Sequence, residues 1–334
     1  MARTLTRADF KSDQEVRWCP GCGDYAILAT IHSVLAELGV PRERCVVVSG
    51  IGCAARLPYY TDTYGFHGIH GRAPAIATGI TSARPDLQVF VITGDGDALS
   101  IGGNHLIHAL RRNANMTIVL FNNQVYGLTK GQYSPTSEVG KVTKSTPAGS
   151  LDHPFNPVSV ALGAEATFVA RSIDNERAHL AATLEAAARH KGTSFVEVYQ
   201  NCNVFNDGAF DAVRGNRANQ IRLEHGEPIR FGDHGERGVV LRDEAQLEIV
   251  DVVDGDEGAL LVHDAHREDP SLAFALSRLS HTPRGPTPIG LFRQVSRPVY
   301  GTELQRQIDE AVGLRGTGDL GALLAEGDTW TVGA

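Results

Sequence analysis

Residues 88–100 read QVFVITGDGDALS, an apolar run that ends on Gly94-Asp95-Gly96 and continues as the start of a helix. A strand that is apolar without alternation is buried on both faces, which is the habit of parallel sheets. Working outward, RCVVVS (44–49), MTIVLF (116–121) and TSFVEVYQ (193–200) repeat that pattern. The segments between them carry helical periodicity. DYAILATIHSVLAELG (24–39) sets Ile27, Ile31, Val34, Leu35 and Leu38 on one face, with Asp24 read as its N-cap and Gly39 as its stop. APAIATGITSA (73–83), SIGGNHLIHALRRN (100–113), NPVSVALGA (156–164) and NERAHLAATLEAAARH (175–190) read as further helices. Strands alternating with helices predict an α/β fold, a mostly parallel sheet covered on both faces and reached by right-handed crossovers.

Such sheets bind ligands beyond the carboxyl ends of their strands. The loops there are GIGCAAR (50–56), GDGDALS (94–100), NNQVYGLTKGQ (122–132) and NCNVFNDG (201–208). After residue 210 the pattern weakens to short hairpin strands within 226–252, helices at 271–279 and 301–314, and Pro- and Gly-rich connections. Residues 1–210 are therefore expected as the ligand-binding domain and 211–334 as a smaller C-terminal region.

Composition narrows the function. The formal charge is -8 and no run of basic residues offers a grip on nucleic acid or anionic lipid. The opening MARTLTRADFKSDQEVR is charged throughout, and the best apolar runs are too short to span a bilayer, so a cytoplasmic location is expected. In a reducing compartment the five cysteines argue for metal or redox chemistry rather than a disulfide framework. Lysine is scarce: of 31 basic residues five are Lys and 26 are Arg, which draws the eye to Lys130.

Gly94-Asp95-Gly96 suits a phosphate, and Asp95 can hold a cation beside it. Asn123 falls twenty-eight residues after Asp95, at the end of the next strand. Adjacent parallel strands bring those loops together, and a carboxylate, an amide oxygen and a backbone carbonyl are what Mg²⁺ takes beside phosphate oxygens. A second glycine pattern, Gly50-x-Gly52-x-x-Ala55, imitates a dinucleotide fingerprint, but no acidic residue follows at the required distance. Cys19-Pro-Gly-Cys22 lacks the buried strand that precedes a thioredoxin-type pair. Cys53 and Cys202 fall in loops on the ligand side of the sheet, so the four could hold zinc or an iron–sulfur cluster, while Cys45 heads a strand as a core residue.

Gly-Asp-Gly followed by Asn123 resembles the thiamine diphosphate fold family. WCPGCGDYAIL (18–28), SGIGCAARLPYY (49–60), GIHGRAPAIATGI (68–80), GDGDALSIGGNH (94–105) and NNQVYGLTKGQYSPTS (122–137), in unbroken order, resemble the β subunits of the 2-oxoacid:ferredoxin oxidoreductases. That resemblance implies a thiamine diphosphate fold with thiamine diphosphate, Mg²⁺ and a [4Fe–4S] cluster. Cys19, Cys22, Cys53 and Cys202 would be the cluster ligands, and Asp95, Asn123 and the Val125 carbonyl the Mg²⁺ ligands. Cofactor contacts would come from Gly52, Cys53, His70, Gly94, Asp95, Gly96, Asp97, Asn123, Leu128 and Thr129. The implied reaction turns a 2-oxoacid and coenzyme A into acyl-CoA, CO₂ and electrons for a separate ferredoxin.

No matched motif here holds the glutamate such enzymes set against the aminopyrimidine, so an α subunit is expected to supply it, the αβ pair duplicating into a heterotetramer. Lys130, in a loop that should pass over the substrate, would pair the second carboxylate of 2-oxoglutarate, which pyruvate lacks. His70 is expected to touch cofactor or substrate, and His67 to satisfy loop backbone.

Overall fold

The computed structural model describes residues 4–242, 246–252, 257–279 and 285–333. In chain order the first half comprises α1 (Asp24–Leu38), β1 (Cys45–Ser49), β2 (Tyr64–His67), α2 (Ala73–Ala83), β3 (Gln88–Gly94), α3 (Asp95–Leu99), α4 (Gly103–Arg112) and β4 (Met116–Asn122). The second half adds α5 (Pro157–Gly163), β5 (Phe168–Ile173), α6 (Arg177–Arg189), β6 (Thr193–Tyr199), β7 (Gln220–Leu223) and β8 (Arg230–Phe231). It closes with β9 (Arg237–Leu241), β10 (Leu247–Asp251), α7 (Ser271–Ser277), β11 (Thr287–Gln294), α8 (Tyr300–Arg315) and α9 (Leu320–Ala325).

Eight strands form one sheet in the order β2-β1-β3-β4-β6-β5-β11-β7. All neighbours are parallel except β5 and β11. Successive side chains alternate across the sheet and both faces are covered, which is why the strands read as continuous apolar runs. Val46, Val48, Val89, Val91, Ile118 and Leu120 pack toward α2, α4 and α5. Val47, Phe90, Ile92, Val119 and Phe121 pack toward α1 and α6. Ile31 of α1 is fully buried on that second face. Its truncation to Ala would cost about 2–5 kcal/mol, the range for large-to-small changes in a packed core.

The region after residue 210 supplies β7 and β11 to this same sheet and keeps only β8, β9 and β10 in a sheet of its own. The expected hairpin strands are present, and residues 243–245 between two of them lie outside the described residues. The apolar pattern misses four strands of the eight-stranded sheet, β2, β5, β7 and β11, the last two lying where only connections were expected. In β5 the run is broken by Arg171 and Ser172, both buried, and Arg171 is neutralised by Glu197 of β6, its Nε 2.6 Å from Oε2. In β2, an edge strand, every residue is exposed.

Helix α1 stops as its sequence directs, at Gly39 in the left-handed conformation (φ 65°). Its start differs from expectation. Gly23 is the N-cap and Asp24 is the first helical residue, with its side chain buried instead of capping.

A cofactor cleft and a cysteine chamber

Register aligns the working loops. Gly94 of β3 sits opposite Phe121 of β4, and Asn122 opposite Tyr199 of β6, so the segments after these strands leave the sheet at one level. Between them lies a cleft lined by Gly52, Cys53, His70, Gly94, Asp95, Gly96, Asp97, Asn123, Val125, Leu128 and Thr129, together with Asp24 and Tyr126. The cofactor residues expected from the sequence thus share one cavity. Gly52 has φ 128°, a conformation that L side chains rarely adopt. At Gly96 a Cβ would fall 2.2 Å from Tyr126 Cε1, so the ring lies directly on the backbone that opens α3.

Asp95 is 2% exposed, and its Oδ2 accepts hydrogen bonds from Ser134 Oγ and Thr136 Oγ1, both at 2.6 Å. Burial pushes its carboxyl up to about 6, against the pull of those hydroxyls. Thr136 Oγ1 also lies 2.9 Å from Asn122 Oδ1. The two hydroxyls follow the loop in SPTS (134–137), where sequence alone marks them only as small polar residues. Asn123 is held by its amide nitrogen, which donates to Gln200 Oε1 at 2.8 Å, while its Oδ1 accepts from Val125 N at 3.2 Å.

Asp97 lines the cleft, but protein donors take up both of its oxygens. Oδ1 accepts from Gly71 N (2.7 Å), Ile51 N (3.1 Å) and His70 Nδ1, and Oδ2 from Thr93 Oγ1 (2.7 Å). The carboxylate, on α3, therefore ties the loops after β1 and β2 to the end of β3, and orients His70. With Nδ1 taken up by Asp97, Nε2 is the ring nitrogen that this bond leaves free. Its ring stands edge-on to Tyr126, 6.4 Å between centroids. His67 is bonded outside the cleft, Nδ1 to Tyr59 Oη at 3.1 Å.

A second chamber adjoins the first and shares Cys53, Asn123, Gly127 and Leu128 with it. Cys19, Cys22, Cys53 and Cys202 all line it, as do Arg17, Arg56 and Lys130. Cys19 and Cys22 lie on one turn, Cys22 N donating to Cys19 O at 3.1 Å. A Cβ on Gly127 would lie 3.4 Å from Cys53 Sγ and 3.7 Å from Cys202 Sγ. Trp18 braces the chamber, Nε1 donating to Cys53 O at 2.8 Å. Burial raises the Cys53 thiol to about 12, and burial together with the neighbouring Asp24 carboxylate drives Cys22 further in the same direction. Cys45 is buried in β1, apart from the other four.

Lys130 is exposed, with φ 76°, in a turn closed by its N–H to Gly127 O (3.0 Å). Lys130 lines the cysteine chamber, whereas Thr129 just before it lines the cleft and Leu128 lines both.

The donor sets fit the groups that the fold family uses. Asp24 is 1% exposed, lines the cleft and has an Oδ2 with no partner, so it asks for a donor from whatever occupies that space. Burial lifts its carboxyl to about 7. Asp95, Asn123 and the Val125 carbonyl are hard oxygen donors beside the loop that suits phosphate. Among the described residues no three His, Cys, Asp or Glu side chains are close enough to hold one metal ion. A cubane, whose ligands each bind a different iron, needs its thiolates set wider than a single zinc does.

Residues 49–198, the stretch containing every element of the cleft except Asp24, match the family described as thiamine pyrophosphate enzyme, C-terminal TPP binding domain. A 2-oxoglutarate oxidoreductase subunit KorB from Mycobacterium tuberculosis is 61% identical over 328 residues, 97% of this chain and 88% of that one. The chain belongs to the 2-oxoglutarate:ferredoxin oxidoreductase β-subunit family. Consistent with that membership, a 2-oxoacid:ferredoxin oxidoreductase β subunit from Aeropyrum pernix is 45% identical over 60% of this chain and 63% of its own length. The solved 2-oxoglutarate:ferredoxin oxidoreductase of Magnetococcus marinus, with 2-oxoglutarate, coenzyme A and succinyl-CoA bound, superposes with a TM-score of 0.77. It is 35% identical, and 97% of each chain is covered. As a family member the chain is an oxidoreductase subunit with the thiamine enzyme fold. Among the described residues no helix is long and apolar enough to cross a membrane.

Proposed function

We propose that this chain forms, with an α subunit, an enzyme that converts 2-oxoglutarate and coenzyme A into succinyl-CoA, CO₂, a proton and two electrons, the electrons leaving singly for ferredoxin. The observation that carries the reading is the shared wall. The cleft that fits thiamine diphosphate and the chamber that collects four cysteines are separated only by Cys53, Asn123, Gly127 and Leu128. Thiamine diphosphate bound in the cleft would supply the electron sink for decarboxylation, and a cluster held by Cys19, Cys22, Cys53 and Cys202 would supply a one-electron exit.

The chain's own residues hold these parts. Asp95, fixed by Ser134 and Thr136, and Asn123, fixed by Gln200, present oxygens for Mg²⁺ on the diphosphate. His70, oriented by Asp97, offers Nε2 as a proton acceptor at the cleft. Cys19, Cys22, Cys53 and Cys202 would ligate a [4Fe–4S] cluster, whose iron keeps their buried sulfurs deprotonated. The names and bound ligands of the relatives support 2-oxoglutarate as the substrate and coenzyme A as the acyl acceptor.

The decisive measurement is iron, acid-labile sulfide and zinc in the αβ enzyme purified without oxygen. About four iron and four sulfide per β chain are expected. One zinc and no sulfide would leave the thiamine site standing and remove the oxidative half of the reading.

A further inference from the structure

One side chain is bonded to both sites. Gln200 follows directly after β6, is 1% exposed, and its N–H donates to Asn122 O at 2.9 Å, continuing the ladder between β4 and β6. Its side-chain amide is fully used. Nε2 donates to Asn201 O at 2.6 Å and to Cys22 Sγ at 3.3 Å, and Oε1 accepts from Asn123 Nδ2 at 2.8 Å.

This arrangement leaves the amide no second orientation. Asn201 O is an acceptor only, so the amide nitrogen has to face it, and Oε1 is left for Asn123. Asn123 is then fixed in turn: its nitrogen is taken by Gln200, and its oxygen is left for Val125 N and for a cation. An Asn123 turned the other way would present N–H donors to the metal and hold none. The same Gln200 amide gives its remaining proton to Cys22, a sulfur at which charge accumulates when a cluster is reduced.

We propose that Gln200 is a positioning residue shared by the two sites: it sets the amide oxygen of Asn123 toward the diphosphate's metal ion and donates an N–H···S hydrogen bond that raises the reduction potential of the cluster held by Cys22. The inference rests on the thiamine and cluster reading above. Hydrogen bonds to ligand sulfur stabilise the more negative, reduced state, so losing one makes the cluster harder to reduce. Losing the hold on Asn123 lets its amide turn, which weakens metal and diphosphate together.

The test uses the αβ holoenzyme with Gln200→Leu, which fills similar volume and makes neither bond, and Gln200→Asn, which keeps the amide but is too short to span both partners. Three quantities are read: the cluster midpoint potential by EPR-monitored titration, the Fe–S stretching frequencies in H₂O and D₂O, and the Mg²⁺ concentration for half-maximal thiamine diphosphate binding. In Gln200→Leu the potential should move to a more negative value, the deuterium shift of the Fe–S modes should shrink, and the Mg²⁺ requirement should rise about tenfold. Gln200→Asn should recover one effect at most. An unchanged potential and deuterium shift in Gln200→Leu at full iron content would overturn the cluster half, and an unchanged Mg²⁺ requirement the cofactor half. Wild-type enzyme without iron would defeat the underlying reading instead, before any variant is compared.

Discussion

The cofactor cleft and the cysteine chamber share a wall, yet they are built differently. In the cleft, protein bonds to protein before anything else arrives: Asp95 is held by two hydroxyls, Asp97 by donors from two loops and from β3, and Asn123 by Gln200. The four cysteines come from three separate segments, and among the described residues Gln200 supplies the one side-chain bond given to any of their sulfurs besides the contact of the Cys22 thiol with Asp24. Two of their thiols are pushed upward by burial and would stay protonated if left free. The cleft is thus organised by its own polar network, whereas the chamber would depend on the proposed cluster to deprotonate and gather its cysteines.

The largest effect expected from that contrast is in the chamber. Cys202→Ser should cost most of the iron and sulfide and nearly all ferredoxin-linked turnover, while thiamine diphosphate still binds. Iron analysis beside a cofactor titration checks both halves. Simultaneous loss of cofactor binding would mean that the cleft needs the cluster and is not self-organised.

Asp95→Asn probes the opposite side. It keeps the shape of the side chain but removes the charge that a divalent ion requires, so thiamine diphosphate affinity in Mg²⁺ should fall about a hundredfold, as expected for losing one charged metal ligand. Iron content should be unchanged. A variant that lost iron as well would show that the wall transmits damage and that the two regions form one unit.

How far the sequence discloses these regions follows the same divide. Four of the proposed ligands are legible in the sequence because they lie in the segments that follow buried strands: Cys53 after β1, Asp95 after β3, Asn123 after β4 and Cys202 after β6. The residues that hold them are not. Ser134 and Thr136 reach Asp95 from about forty positions away, and Gln200 reaches Cys22 from 178, through loops whose path no local periodicity encodes. Asp24 looks like a helix cap because Asp before an apolar-periodic stretch usually is one. Only the packing of Gly23 ahead of it shows the carboxylate turned into the cleft. β5 escapes for a related reason, since Arg171 is tolerable in a central strand only beside Glu197, which lies 26 residues on.

Lys130 sits where the two regions meet, and its effect should be intermediate. If the lysine serves the cleft by pairing the distal carboxylate, Lys130→Ala should reduce kcat/KM for 2-oxoglutarate at least tenfold more than for pyruvate, in line with a charge-assisted hydrogen bond. Its position on the chamber wall beside Arg17 and Arg56 sets up the contrary outcome. Equal losses for both substrates would assign it to the chamber and leave the cleft without a cation for the second carboxylate.

The smallest expected effect tests the scaffold against both sites. His32 of α1 and His179 and His190 at α6 are held to about 4, in each case chiefly because burial disfavours the charged ring. Each ring has a hydroxyl partner: Thr61 Oγ1 at 3.2 Å, Ser172 Oγ at 2.8 Å and Thr167 Oγ1 at 2.8 Å. An unfolded histidine titrates near 6.5, so the folded state binds fewer protons than the unfolded state throughout the interval below that value. The stability these neutral rings contribute is complete above about pH 6.5 and is lost progressively as pH falls toward 4. Thermal unfolding should therefore drop by several degrees between pH 7 and pH 5, and His179→Asn should make that drop shallower. Cofactor affinity over the same interval should follow the cleft and be insensitive to His179→Asn. If affinity and unfolding changed together in that variant, the layer of α1 and α6 would have to be counted as part of the site it supports.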